Sequence, residues 1–159
     1  MEVVYPGTFD PITKGHIDIL ERALNVFDSV TVLISNNPTK DTLFNVEERK
    51  EMAEEAVKYL KNVHVKSYEG LIVNYIRKNN VKTVIRGLRA VSDFEYEFQM
   101  AMTNRRLYKE FDVMFFITDM KYIYLSSSIV KEIGKFNGDI SRMVPENVAV
   151  KIREKFNNV

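Results

Sequence analysis

Short, almost unbroken apolar runs alternate along the chain with segments whose apolar positions recur every three to four residues. The first pattern predicts buried strands and the second predicts amphipathic helices. Val3-Val4-Tyr5 opens the series as a strand. A helix is predicted over Gly15–Phe27, with Ile17, Leu20, Leu24 and Phe27 on one face. Val30-Thr31-Val32-Leu33-Ile34 is β-branched and nearly all apolar, which suits a strand covered on both faces. After a polar stretch from Ser35 to Phe44, Asn45 followed three residues later by Glu48 reads as a helix start. Met52, Ala56, Val57 and Leu60 continue that helix. Val63–Tyr68 reads as a strand, Leu71–Lys78 as a helix and Thr83-Val84-Ile85 as a strand. A long helix is predicted from Ser92 to Tyr108 and a last strand over Val113–Ile117. Two helices, Ser126–Phe136 and Pro145–Phe156, complete the chain, with Pro145 at a favoured first position.

Strands that alternate with helices imply right-handed crossovers and a parallel sheet. The expectation is an α/β fold in one domain, residues 1–159: a Rossmann-like, doubly wound, mostly parallel five-stranded sheet. Helices would cover both faces, with a helical segment at the C-terminal end. Ligands bind such sheets beyond the carboxyl ends of the strands, where strand order reverses. The polar residues after strands one, two and four are Thr8 to His16, Lys40, and Arg86 to Arg89. They are therefore expected to converge on one cleft. The long helix carries two apolar stripes, Phe94, Phe98 and Ala101 on one side and Tyr96, Met100 and Leu107 roughly opposite. Such a helix is either sandwiched within its own subunit or covered in part by a neighbouring one.

Composition narrows the classes. Apolar residues make up 45% and charged residues 28% of 159, typical of an ordered globular chain. A net charge of +1 implies no broad basic face, so neither nucleic acid nor membrane is an expected partner. There is no cysteine, which suits a reducing cytoplasm. The start lacks a basic leader pattern, and no stretch approaches the roughly 18 apolar residues of a membrane span. Two histidines without cysteine give no zinc pattern. His64, between Val63 and Val65, reads as structural or exposed. Neither a G-x-x-x-x-G-K-S/T loop, a G-x-G-x-x-G fingerprint nor a G-x-S-x-G elbow occurs.

Three stretches carry candidate chemistry. In the first, Gly7-Thr8-Phe9-Asp10-Pro11 leads from a strand into Thr13-Lys14-Gly15-His16 at a helix start. Free backbone N–H groups there attract anions, small residues let a phosphate approach, and a first-turn histidine can donate to it. By spacing alone the stretch equally suits a tight connection with one solvated histidine. In the second, Ile85-Arg86-Gly87-Leu88-Arg89 precedes Asp93, Glu95 and Glu97. Two guanidinium forks flanking a glycine fit phosphate oxygens, although an ion-pair network with those acids fits as well. In the third, Tyr122-Ile123-Tyr124-Leu125-Ser126-Ser127-Ser128 precedes a helix. Its hydroxyls and N–H groups can meet a phosphate or merely cap the helix.

Together these stretches resemble the nucleotidyltransferases that share a fold with class I aminoacyl-tRNA synthetase catalytic domains. Their first signature is T/H-x-G-H and their second I-S-S-T/S. The runs Gly7–Pro11 with Thr13–His16, R-G-L-R-x-x-x-D-F-E-Y-E from Arg86, and the aromatic-serine run are most similar to the bacterial phosphopantetheine adenylyltransferase family. Leu125 for Ile, Ser128 for Thr and Lys131 for a common Arg are mild departures. The resemblance spans essentially the whole chain in matching order.

The resemblance implies adenylyl transfer from ATP to 4′-phosphopantetheine, giving dephospho-coenzyme A and pyrophosphate by direct in-line attack. It implies His16, Thr8, Lys40 and Arg89 as catalytic residues. ATP contacts would come from Thr8, Phe9, His16, Gly87, Leu88, Arg89, Glu97 and the run Tyr122, Ile123, Tyr124, Leu125, Ser126, Ser127 and Ser128. The acceptor would meet Thr8, Lys40, Ile72 and Arg86. Mg²⁺ would come with the ATP phosphates, with no dedicated protein metal site. A homohexamer and coenzyme A as an inhibitor belong to the same implication. Two rivals stand beside it: a superfamily relative acting on another phosphate, such as nicotinamide mononucleotide or glycerol phosphate, and a non-catalytic ATP-binding regulatory module.

Overall fold

Five strands form one sheet in the order β3-β2-β1-β4-β5. The strands are β1 (Glu2–Gly7), β2 (Ser29–Ser35), β3 (Val63–Tyr68), β4 (Thr83–Leu88) and β5 (Asp112–Ile117). This computed structural model describes residues 1–36 and 41–157. Every pairing is parallel. Strand order runs outward from β1 in both directions, so the reversal falls between β1 and β4. Central β2 and β1 are apolar because both faces are covered, with Val3, Val4, Val30, Val32, Leu33 and Ile34 all fully buried. Edge strand β3 alternates half-buried and exposed positions, and His64 lies on its exposed side.

Among the described residues six α-helices accompany the sheet: α1 (Lys14–Ala23), α2 (Val46–Val57), α3 (Ile72–Lys78), α4 (Val91–Leu107), α5 (Ser127–Lys135) and α6 (Glu146–Asn157). One face of the sheet carries the larger core, where Ile12, Leu20, Phe44, Val130 and Ile152 meet. The other is closed by Val73, Tyr75, Ile76 and Phe111 against Val4, Leu33 and Val84. Asn45 caps α2 reciprocally with Glu48, as the N-x-x-E spacing predicts.

Two sequence expectations change, and of the two readings of the long helix one falls away. The first helix ends at Ala23, with Leu24 as its C-cap, so Phe27 reaches the core from a turn and not from the helix. Pro145 stands just before α6, where its carbonyl accepts from Ala149 N–H at 3.0 Å. The long helix α4 is not sandwiched within the chain and holds no fully buried residue. Phe94 packs on Phe98 and Phe115, while Tyr96, Phe98, Met102 and Leu107 each keep about half or more of their surface open.

Candidate active site

At the carboxyl end of β1 the chain turns through buried Phe9, whose backbone takes the left-handed φ of 47°. It enters α1 with Thr13 as N-cap. The T-x-G-H spacing is a capping box in which histidine replaces the usual acid. His16 N–H donates to Thr13 Oγ1 at 3.4 Å, and Thr13 N–H donates to His16 Nδ1 at 3.0 Å. A backbone N–H can only donate, so Nδ1 carries no proton. The neutral ring then bears its proton on Nε2. The ring is packed edge-on against Phe9 and Tyr5. Desolvation, with help from Arg86 and Arg89, pulls its pKa from 6.5 down to about 4. His16 is thus a neutral hydrogen-bond donor facing the cleft.

The cleft lies over the β1/β4 reversal and has a volume of about 710 Å³. It brings together the three stretches singled out above. Thr8, Phe9 and His16 line one side, with Arg86, Gly87, Arg89 and Glu97, and then Tyr122, Leu125 and Ser126 to Ser128. Gly87 permits a close crossing: a Cβ there would sit 2.3 Å from Ile19 Cδ1 on α1. Arg89 Nη1 donates to Leu125 O at 3.0 Å, and Ser127 Oγ donates to Pro11 O at 2.7 Å. These two bonds tie the serine run to the other two stretches. Ser126 Oγ caps α5 by accepting from Ile129 N–H.

The ion-pair alternative is realised in part. Arg86 forms a two-pronged pair with Glu97, with Nε to Oε2 at 2.9 Å, and also donates to the Pro6 carbonyl. Burial opposes its charge, but the bonding and charge of Glu97 outweigh this and hold its pKa up. Arg89 pairs with Asp93 at 3.2 Å. Beyond Arg86 and Glu97 opens a second cavity of about 640 Å³, lined by Leu71, Ile72, Val84, Met100, Phe111 and Val113.

A Cytidylyltransferase-like family pattern matches residues 4–133. A phosphopantetheine adenylyltransferase from Dictyoglomus thermophilum is 52% identical over 156 residues, covering 98% of this chain and 95% of that one. Another from Carboxydothermus hydrogenoformans is 50% identical over 153 residues, covering 96% and 94%. The chain belongs to this family. Two solved structures share its fold. One is a bifunctional NMN adenylyltransferase/ADP ribose pyrophosphatase from Francisella tularensis, with a TM-score of 0.71 at 15% identity over 99% of this chain and 51% of that one. The other is a putative nicotinate-nucleotide adenylyltransferase from Vibrio parahaemolyticus, with a TM-score of 0.70 at 17% identity, covering 99% and 91%.

The residues that the family resemblance implies do not all reach the cleft. Leu88, Ile123 and Tyr124 are absent from its lining, and Ile72 lines the second cavity. Lys40 lies outside the described residues. Reading the sequence for chemistry passed over two more. Asp10 is 4% exposed and accepts from Leu43 N–H, Phe44 N–H and Lys131 Nζ. Arg49 is 3% exposed and donates to the carbonyls of Thr8, Ser35 and Phe44. In the sequence, Arg49 sits in a charged run, Glu47-Glu48-Arg49-Lys50, that gives no local signal of burial. Among the described residues no helix is long and apolar enough to cross a membrane.

Proposed function

We infer that this chain, acting as a single domain over residues 1–159, transfers the adenylyl group of ATP to 4′-phosphopantetheine, with loss of pyrophosphate. The observation that carries the reading is His16, held as an Nε2–H donor in a cleft that three separate stretches of chain build. The acceptor phosphate is already a nucleophile, so it attacks the α-phosphate directly and no covalent enzyme intermediate is needed. Catalysis then rests on orientation and on donors aimed at developing charge. His16 donates to an α-phosphate oxygen. Thr8 and Lys40 order the entering phosphate, with Arg86 as a further cation. Arg89, Glu97 and the serines at the start of α5 hold ATP.

The neighbouring, more apolar cavity supports an acceptor with a long, weakly polar arm, and Ile72 lies along it. In the cleft Arg86 and Arg89 each face a carboxylate. Arriving phosphates would compete for those cations. Among the described residues no group of three or more His, Asp or Glu side chains gathers to hold a metal ion. Mg²⁺ is proposed as carried by the ATP phosphates, whose charge it would partly neutralise.

A homohexamer and inhibition by coenzyme A belong to the same reading. Half-open Tyr96, Phe98, Met102 and Leu107 on α4 support an apolar face covered by another copy. The cysteine-free composition supports a reducing, cytoplasmic setting.

Pyrophosphate release with ATP, Mg²⁺ and 4′-phosphopantetheine tests the assignment, beside nicotinamide mononucleotide and glycerol phosphate as acceptors. Turnover confined to phosphopantetheine is expected. Turnover with another acceptor would overturn the roles given to Lys40 and Arg86. ATP binding without any turnover would favour a regulatory module.

A further inference from the structure

Asp10 is buried at the point where the two halves of the cleft meet, and its carboxylate is shared between them. Oδ1 accepts from Phe44 N–H and Oδ2 from Leu43 N–H, each at 3.0 Å. These amides belong to the stretch just before α2, whose Asp41 and Thr42 line the cleft. From the other side Lys131 Nζ reaches Oδ2 at 2.6 Å. Lys131 lies on α5, one turn beyond Ser127 and Ser128, and lines the same cleft. A second bond, Ser127 Oγ to Pro11 O at 2.7 Å, fixes α5 to the residue that follows Asp10. A carboxylate only 4% exposed is tolerated when donors fill its lone pairs, and three donors do so here.

We propose that Asp10 is a positioning residue for the transfer reaction. It sets the distance between the 41–44 wall of the cleft and the nucleotide-side helix α5, acting through Lys131. The proposal rests on the adenylyl-transfer reading, because in-line attack tolerates little error in the separation of the two substrates. The pair also offsets the negative charge that Asp10, itself a lining residue, presents to the phosphate cleft, since the Lys131 ammonium sits on Oδ2. Without that ammonium Asp10 repels both phosphate-bearing substrates.

The test is a double-mutant cycle in the full chain, with steady-state kinetics for both substrates and thermal unfolding of every variant. Asp10→Asn keeps the shape but replaces one acceptor oxygen with a donor, so whichever way the amide turns it opposes a buried N–H. Lys131→Met removes only the ammonium and leaves both backbone bonds to Asp10. Each is expected to lower kcat/KM roughly tenfold or more and to raise KM for phosphopantetheine as well as for ATP. The double variant is expected to be no worse than the poorer single one, and Lys131→Arg to restore most activity. Wild-type kinetic constants in folded Asp10→Asn would overturn the proposal, as would fully multiplicative losses in the double variant. If Asp10→Asn does not fold, Lys131→Met decides: a rise in KM for ATP alone would make Lys131 a plain nucleotide contact and sink the linkage. Failure of the unmodified protein to use phosphopantetheine would instead strike at the reaction assignment. The cycle is then read with the acceptor that does turn over.

Discussion

The Thr13 backbone N–H donates to His16 Nδ1 at 3.0 Å, and this single bond decides which histidine nitrogen carries a proton. The proton is left on Nε2, and the ring acts as a donor without being charged. Removing it should resemble removing one oxyanion donor. His16→Ala is expected to lower kcat by a factor on the order of 10²–10³ with little change in either KM. Full kcat in a folded variant, measured by pyrophosphate release, would sink the role.

The depressed pKa of His16 fixes a sign for pH dependence. The unfolded ring titrates near 6.5 and the folded one at about 4. Between these values the unfolded chain binds a proton that the folded chain does not. This contribution to stability is therefore complete above 6.5 and is lost as pH falls from 6.5 toward 4. Denaturant midpoints across that range should fall toward acid, and less so in His16→Asn. Activity should show no histidine limb between about pH 5 and 8.

Arg86 grips Glu97 with two nitrogens and the Pro6 carbonyl with a third. Lysine keeps the charge but not this fork. Arg86→Lys should therefore raise KM for phosphopantetheine by roughly tenfold, with a smaller change for ATP. Equal KM values for wild type and variant would remove Arg86 from the acceptor site.

Lys40→Ala is expected to raise KM for phosphopantetheine on the order of tenfold while ATP is little affected. A change confined to ATP would reassign the residue. Acceptor titrations at saturating ATP, and the converse, separate the two outcomes.

Gly87 is required by contact. A methyl there meets Ile19 Cδ1 at 2.3 Å at the cleft wall, so the buried Ile19 side chain must shift and Gly87→Ala should destabilise by about 1 kcal/mol. Adding Ile19→Val deletes the opposing carbon and should recover part of the loss. Additive effects in urea unfolding would show that the clash is not the cause.

The period of apolar residues was enough to determine the elements. Runs such as Val30–Ile34 have no polar face to turn to water and must be covered on both sides. That demand, with helices between strands, leads to a parallel sheet and to a cleft at its carboxyl end. The three chemical stretches were legible for a similar reason, because glycines, paired arginines and serial serines leave marks in a short window. Long-range contacts leave no such mark. Strand order puts β1 beside β4, and so brings Arg86 against Pro6, 80 positions away. Asp10 gains its partners 33, 34 and 121 positions away in the same manner. The neutrality of His16 also needed the tertiary structure, since it depends on burial beside two guanidiniums. Arg49 stands among charged neighbours in the sequence, whereas in space its partners are the carbonyls of Thr8, Ser35, Phe44 and Asn45. The sequence by itself determined which residues could do phosphate chemistry; packing decided which of them face one another, because a side chain's charge and reach act through space and not along the chain.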